Sequence, residues 1–165
     1  GKNLELTLTM KEITDDWRPT NGFDNVAFTI FFADGRGGGR RDLPLLNATM
    51  PGEMTWDVAH VGFGWGSYTY GTKGSGPDAQ GERLGVAPLV RTNMDERTIS
   101  FVYEGARLGM DDWSSVQIYI TTWHVSGEGA YDDIRPEPSE WHFGGAPSNS
   151  PKIMDDVLIE VGDTR

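Results

Sequence analysis

Apolar residues in this chain come in short runs, several alternating with polar ones, and Gly, Pro, Asn or Asp closes each run within a few residues. The pattern admits strands and excludes a helical bundle, because an amphipathic helix needs apolar residues at i, i+3 and i+4 over about ten or more positions. Leu4-Glu5-Leu6-Thr7-Leu8-Thr9-Met10 is the plainest case, with Leu4, Leu6, Leu8 and Met10 on one face of a strand. Residues 25–33 (NVAFTIFFA) are almost wholly apolar, rich in β-branched and aromatic side chains, and read as a more central strand. Further strands are expected at 53–63, 67–72, 84–92, 98–104, 116–123 and 157–161, and a short helical turn at 106–110. Ile99, Phe101 and Tyr103 share a face, as do Val116, Ile118 and Ile120, while Gln117, Tyr119 and Thr121 point the other way. With 165 residues and 22 glycines, the expectation is a single all-β domain over 1–165, an antiparallel β-sandwich of jelly-roll-like form.

Charge narrows the partners. Fourteen Lys and Arg stand against 25 Asp and Glu, a formal net charge of -11, which repels a nucleic-acid backbone but does little against a neutral polysaccharide. Cysteine is absent, so there is neither a disulfide framework nor a thiol site. No apolar run approaches the ~20 residues of a membrane helix, and the opening Gly1-Lys2-Asn3 has no signal-peptide character. The chain is read as a segment of a larger secreted, extracellular protein, with no membrane partner.

The strongest loop signals are 35–41, 71–81 (GTKGSGPDAQG) and 135–150, which holds Pro136, Pro138 and Pro147. The residues that carry most function lie beside them. In Phe63-Gly64-Trp65-Gly66-Ser67-Tyr68-Thr69-Tyr70-Gly71, aromatics are set among glycines that turn the backbone and leave ring faces uncovered. A pyranose has an apolar C–H face and a hydroxyl rim, so a flat ring with polar side chains at its edge suits it. Trp65, Tyr68 and Tyr70 are therefore the expected sugar platform, with Trp17 a second ring and Lys73, Asp78 and Gln80 the hydrogen-bonding partners. Trp56, Trp113 and Trp123 lie in or beside strands and are assigned to the core, and Trp141 is given a structural role sealing one end of the sandwich.

A structural Ca²⁺ needs six to eight oxygen ligands, and Asp24, Asn25, Asp34, Asp132 and Asp133 are the loop residues that would converge on one; Asp24, Asp34 and Asp132 are the ligands chosen. No EF-hand spacing, His-Glu-x-x-His, Gly-x-Ser-x-Gly or phosphate loop is present, and His60, His124 and His142 are far apart in sequence. Glu53 with Asp57 is the best carboxylate pair for a glycosidase, a spacing common by accident.

Four stretches carry a family resemblance: 17–32 (WRPTNGFDNVAFTIFF); 43–48 (LPLLNA) with Thr55-Trp56-Asp57 and Gly64-Trp65; Thr121-Thr122-Trp123; and Trp141-His142-Phe143-Gly144-Gly145 through 151–155 (PKIMD). In these the chain resembles the glucodextranase C-terminal-like carbohydrate-binding domains, β-sandwiches related to family nine carbohydrate-binding modules and appended to amylases, pullulanases and similar enzymes. The resemblance implies sugar binding without chemistry, an aromatic-lined site and, in some members, a structural Ca²⁺. It also implies an acidic residue after Thr121-Thr122-Trp123, where this chain has His124, which weighs against a metal there. The first expectation is thus a non-enzymatic, monomeric module that binds an α-glucan such as starch and is covalently attached to a glycoside hydrolase. The alternative is a structural β-sandwich that packs on the catalytic domain without binding sugar, and a small glycosidase ranks third.

Overall fold

The computed structural model describes residues 2–24, 26–35, 38–125 and 131–161. Its strands run in the order β1 Asn3–Thr9, β2 Ala27–Ala33, β3 Asp42–Leu43, β4 Ala48–Thr49, β5 Val58–Phe63, β6 Gly66–Gly71, β7 Ser75–Gly76, β8 Ala79–Gln80, β9 Leu89–Asn93, β10 Thr98–Glu104, β11 Gln117–Trp123 and β12 Asp155–Glu160. Among the described residues the one helix is the single turn α1, Gly105–Leu108, closed by Gly109 in the left-handed region. A three-stranded sheet, β1-β10-β9, lies against a five-stranded sheet, β12-β11-β2-β5-β6, and every pairing between these strands is antiparallel. This is the expected all-β sandwich.

The core between the sheets is built from alternate residues. Leu6, Ile99, Phe101 and Tyr103 meet Phe28, Ile30, Phe32, Ile118 and Ile120, with edge contacts such as Phe28–Phe101 at 5.6 Å and Phe32–Tyr103 at 4.9 Å. All seven residues of β2 are buried, as its apolar run requires for a strand covered on both faces. The second cover is irregular chain. Leu43, Leu46, Met50 and Trp56, with Tyr131 and Ile153, close over the outer face of the larger sheet, where Ala27, Phe31, Ala59, Val61, Tyr119 and Trp123 point.

Some expected bounds shift. Residues 53–57 are outside β5, because Trp56 turns away to pair with Arg40. The strand expected from 84 starts only at Leu89, after Pro88, which has no N–H to give a ladder. The loop at 71–81 folds into the small β7–β8 hairpin, and two-residue strands β3 and β4 pair within the covering layer. Asn25 and the middle of the 35–41 loop lie outside the described residues.

Candidate functional site

Register places the site. Trp123 pairs with Ala27, Ala27 with Phe63, and Phe63 with Gly66, so these form one row across the larger sheet. The segment entering β2, the β5–β6 turn and the segment leaving β11 therefore all lie at the same end. At the β5–β6 turn Gly64 is forced by crowding: a Cβ there would come within 2.8 Å of the Pro19 Cβ and press on the Phe23 carbonyl. The turn lifts Trp65 clear, leaving it 49% exposed.

The 17–24 segment packs beside that turn through Asn21. Its backbone N–H donates to the Gly64 carbonyl at 2.8 Å, and its side-chain Nδ2 donates to the carbonyls of Phe63 at 2.7 Å and Gly66 at 3.2 Å. Asp24 anchors the other end of the segment, accepting from the Trp17 backbone N–H at 2.9 Å and from the Thr14 hydroxyl. Trp17, held through its backbone by Asp24, is 68% exposed. Two open indoles thus stand on loops bonded to each other.

A third element reaches the same end. Beyond Trp123, His124 contacts the Phe143 ring edge to face at 5.1 Å, and its Nδ1 lies 2.7 Å from the Asp132 carboxylate, within ion-pair distance but not aligned as a hydrogen bond. Phe143 is 50% exposed. Just before it, mutual backbone bonds between Ser139 and His142 make a two-residue turn whose tip carries Trp141, 65% exposed. The structural role expected for Trp141 does not hold: the turn projects the indole outward instead of sealing the sandwich. Trp56, Trp113 and Trp123 are buried as expected.

The remaining expected platform residues are divided. Tyr68 and Tyr70 do share a face, opposite Val61 and Ala59. Arg83 lies over the Tyr68 ring at 4.0 Å, and Tyr70 packs against the outer core, where burial raises its phenol above the ordinary range and Arg83 partly offsets this. Both rings are half-buried. Lys73, Asp78 and Gln80 follow the far end of β6 in the chain, on and beside the β7–β8 hairpin. Lys73 pairs with Glu82 at 3.6 Å, Asp78 is exposed beside a cleft, and the Gln80 carbonyl accepts from the Tyr131 hydroxyl at 3.0 Å. Tyr131 in turn stacks on Trp123 with ring centres 3.8 Å apart.

The carboxylates do not gather. Asp24 serves its own loop, Asp34 donates its backbone N–H to Asp57 Oδ2 at 3.0 Å, Asp132 faces His124, and Asp133 pairs with Lys152 at 3.1 Å. Among the described residues no three His, Asp or Glu side chains form a metal-holding group. A shared Ca²⁺ site at Asp24, Asp34 and Asp132 does not fit this arrangement. Nor do Glu53 and Asp57 share a strand face, since Glu53 lies in the loop before β5 and pairs with Arg41 at 3.4 Å. His60, the one fully enclosed imidazole, sits between Tyr103 Oη at 2.8 Å and Ser67 Oγ at 3.0 Å, and burial pulls its pKa down from 6.5 to about 3. It is a neutral core residue. No helix among the described residues is long and apolar enough to cross a membrane.

Comparison with curated proteins gives no match. The family model of the C-terminal, SLH-like binding module of glucodextranase matches residues 1–164. With nearly every residue inside that match, and a β-sandwich carrying exposed rings at one end, the chain belongs to the family of glucodextranase C-terminal binding modules.

Proposed function

We propose that this domain is a non-catalytic module that binds an α-glucan such as starch and keeps an attached, secreted glycoside hydrolase close to that substrate. The supporting observation is the distribution of open rings. Trp17, Trp65, Trp141 and Phe143 are the large aromatic side chains most exposed among the described residues, and all lie on the segments gathered at one end of the larger sheet. Exposed apolar side chains scattered singly mean little, whereas several rings on adjoining loops form a surface made to be covered. Indole faces present apolar area at low entropic cost to a pyranose C–H face, and the sugar hydroxyls stay wet at the rim. Trp65 is the first stacking ring, Trp17 its neighbour, and Tyr68 continues the line along β6.

Tethering makes weak binding sufficient, because a linked partner experiences the substrate at raised effective concentration. Electrophoresis through gels containing soluble starch, hydroxyethylcellulose or xylan tests the reading. Retardation by starch is expected, and migration unaffected by starch overturns the α-glucan assignment.

A second reading, a sandwich that packs on its catalytic neighbour without binding sugar, draws on a different surface. Val157 and Leu158 lie open on the edge strand β12, and a groove of about 510 Å³ lined by Leu8, Met10, Ile120 and Met154 runs beside it. Calorimetric silence toward malto-, cello- and xylooligosaccharides alike would favour this reading.

A further inference from the structure

A cleft of about 470 Å³ opens on the covering layer of the larger sheet, between the 43–47 loop, the β7–β8 hairpin and the chain around Tyr131 and Lys152. Trp65 does not line it, and β2 lies between the β5–β6 turn that carries Trp65 and the strand of Trp123, on which the cleft's Tyr131 stacks. The walls are held by backbone bonds between elements distant in sequence: Leu45 N–H to the Pro77 carbonyl and Lys152 N–H to the Leu46 carbonyl, both at 2.9 Å. The Asn47 amide adds bonds to the carbonyls of Asn149 and, at 3.3 Å, Ser150. Leu45 and Asn47 both hold positive φ, 63° and 51°, a cost that persists only where surroundings over-determine it and that concentrates at ligand sites.

The lining is mixed in a way that selects among ligands. Asp78 and Asp133 offer acceptors. Lys152 offers a donor already oriented, its ammonium bonded to the Tyr131 carbonyl at 3.0 Å and paired with Asp133 at 3.1 Å. Leu45, Pro77 and Tyr131 supply apolar wall. An anion would meet two carboxylates and a lysine already engaged, on a molecule of net charge -11, and a metal ion would meet the ammonium. A neutral, hydroxyl-rich ligand satisfies both kinds of group at once, because each hydroxyl donates and accepts. Behind Tyr131, the buried Nε2 of Gln80 has no hydrogen-bond partner, an orphaned donor at the edge of the same polar system.

We propose that this cleft is a second saccharide site, which takes a sugar unit by its hydroxyl rim through Asp78, Asp133 and Lys152, separately from the ring-stacking end. The assignment rests on the glucan-binding reading above. Two sites on one module would bind a branched or folded chain at two points, with the gain set by their spacing.

The test is a backbone-amide and indole NMR titration of the whole domain with maltotetraose, on wild type, Asp78→Ala and Trp65→Ala. Two groups of shifting signals are expected, one at the Trp65 indole and one at residues 78, 131 and 133. Asp78→Ala should weaken the response at 131 and 133 by about tenfold in sugar concentration while sparing Trp65. Trp65→Ala should do the reverse. Asp78 is exposed, so its loss should leave the rest of the spectrum in place. Shifts at Trp65 alone overturn the second site and leave the first reading standing, and shifts at neither place overturn both.

Discussion

Indoles divide in this chain by what their N–H can reach. Trp56 donates to the Asp42 carbonyl at 2.7 Å, Trp113 to the Lys2 carbonyl at 2.8 Å and Trp123 to the Thr29 hydroxyl at 2.9 Å, so burying them costs no unpaired donor. Trp123→Ala should therefore lower unfolding stability by about 3–5 kcal/mol in urea titrations, whereas Trp141→Ala should leave it within about 0.5 kcal/mol. His60 gives a pH signature. Its folded pKa of about 3 lies below the ordinary 6.5 because burial penalises the imidazolium. Stability from this source is complete above pH 6.5 and falls as pH drops from 6.5 toward 3, by at most about 1.4 kcal/mol per pH unit. Urea unfolding of wild type and His60→Gln should show a stability difference that narrows from pH 7 to pH 4.5, and a constant difference would contradict the assignment. Strand position was enough to place Trp56, Trp113 and Trp123 inside. The reading of Trp141 as a seal on one end of the sandwich failed, because the Ser139–His142 turn that ejects the ring has no glycine or asparagine at its tip to announce it.

At the level of elements, two loops make the site, and Asn21 makes two loops into one unit. Asn21→Ala removes the side-chain bonds to Phe63 and Gly66 and should cost about 1–2 kcal/mol. It should also weaken glucan binding although Asn21 touches no expected stacking ring, a coupling readable by calorimetry on the variant. The strands themselves were largely legible. Alternation fixed the inward face of β1, and β10 occupies the span expected from its apolar residues, because both face a single core. What escaped was the covering layer. Tyr119 and Thr121 were correctly turned away from the inter-sheet core, but nothing in a period of two says that Leu43, Leu46, Met50 and Trp56 would return to bury them. Likewise, proximity in sequence joined Lys73 and Gln80 to Trp65, whereas Lys73 pairs with Glu82 and Gln80 accepts from Tyr131.

The whole molecule is a sandwich whose paired sheets hold their loops at defined ends, the arrangement in which loops acquire binding roles. Among the described residues its acidic side chains form no group of three that could hold a metal ion. Addition of EDTA should accordingly leave the melting temperature unchanged, since a bound ion would stabilise by mass action and its removal would show as a lowered midpoint. The resemblance spoke to this architecture more readily than to the ligand: its stretches include Trp17, Trp65, Trp141 and Phe143, but whether a ring is left open depends on the local geometry of its turn. The direct test of the open-ring account is calorimetric titration of maltoheptaose into wild type and Trp65→Ala, with thermal melts of both. Affinity should fall by about tenfold or more, equivalent to about 1.4 kcal/mol, with coincident melts. Unchanged affinity, or a melting point lowered as far as by Trp123→Ala, would contradict it.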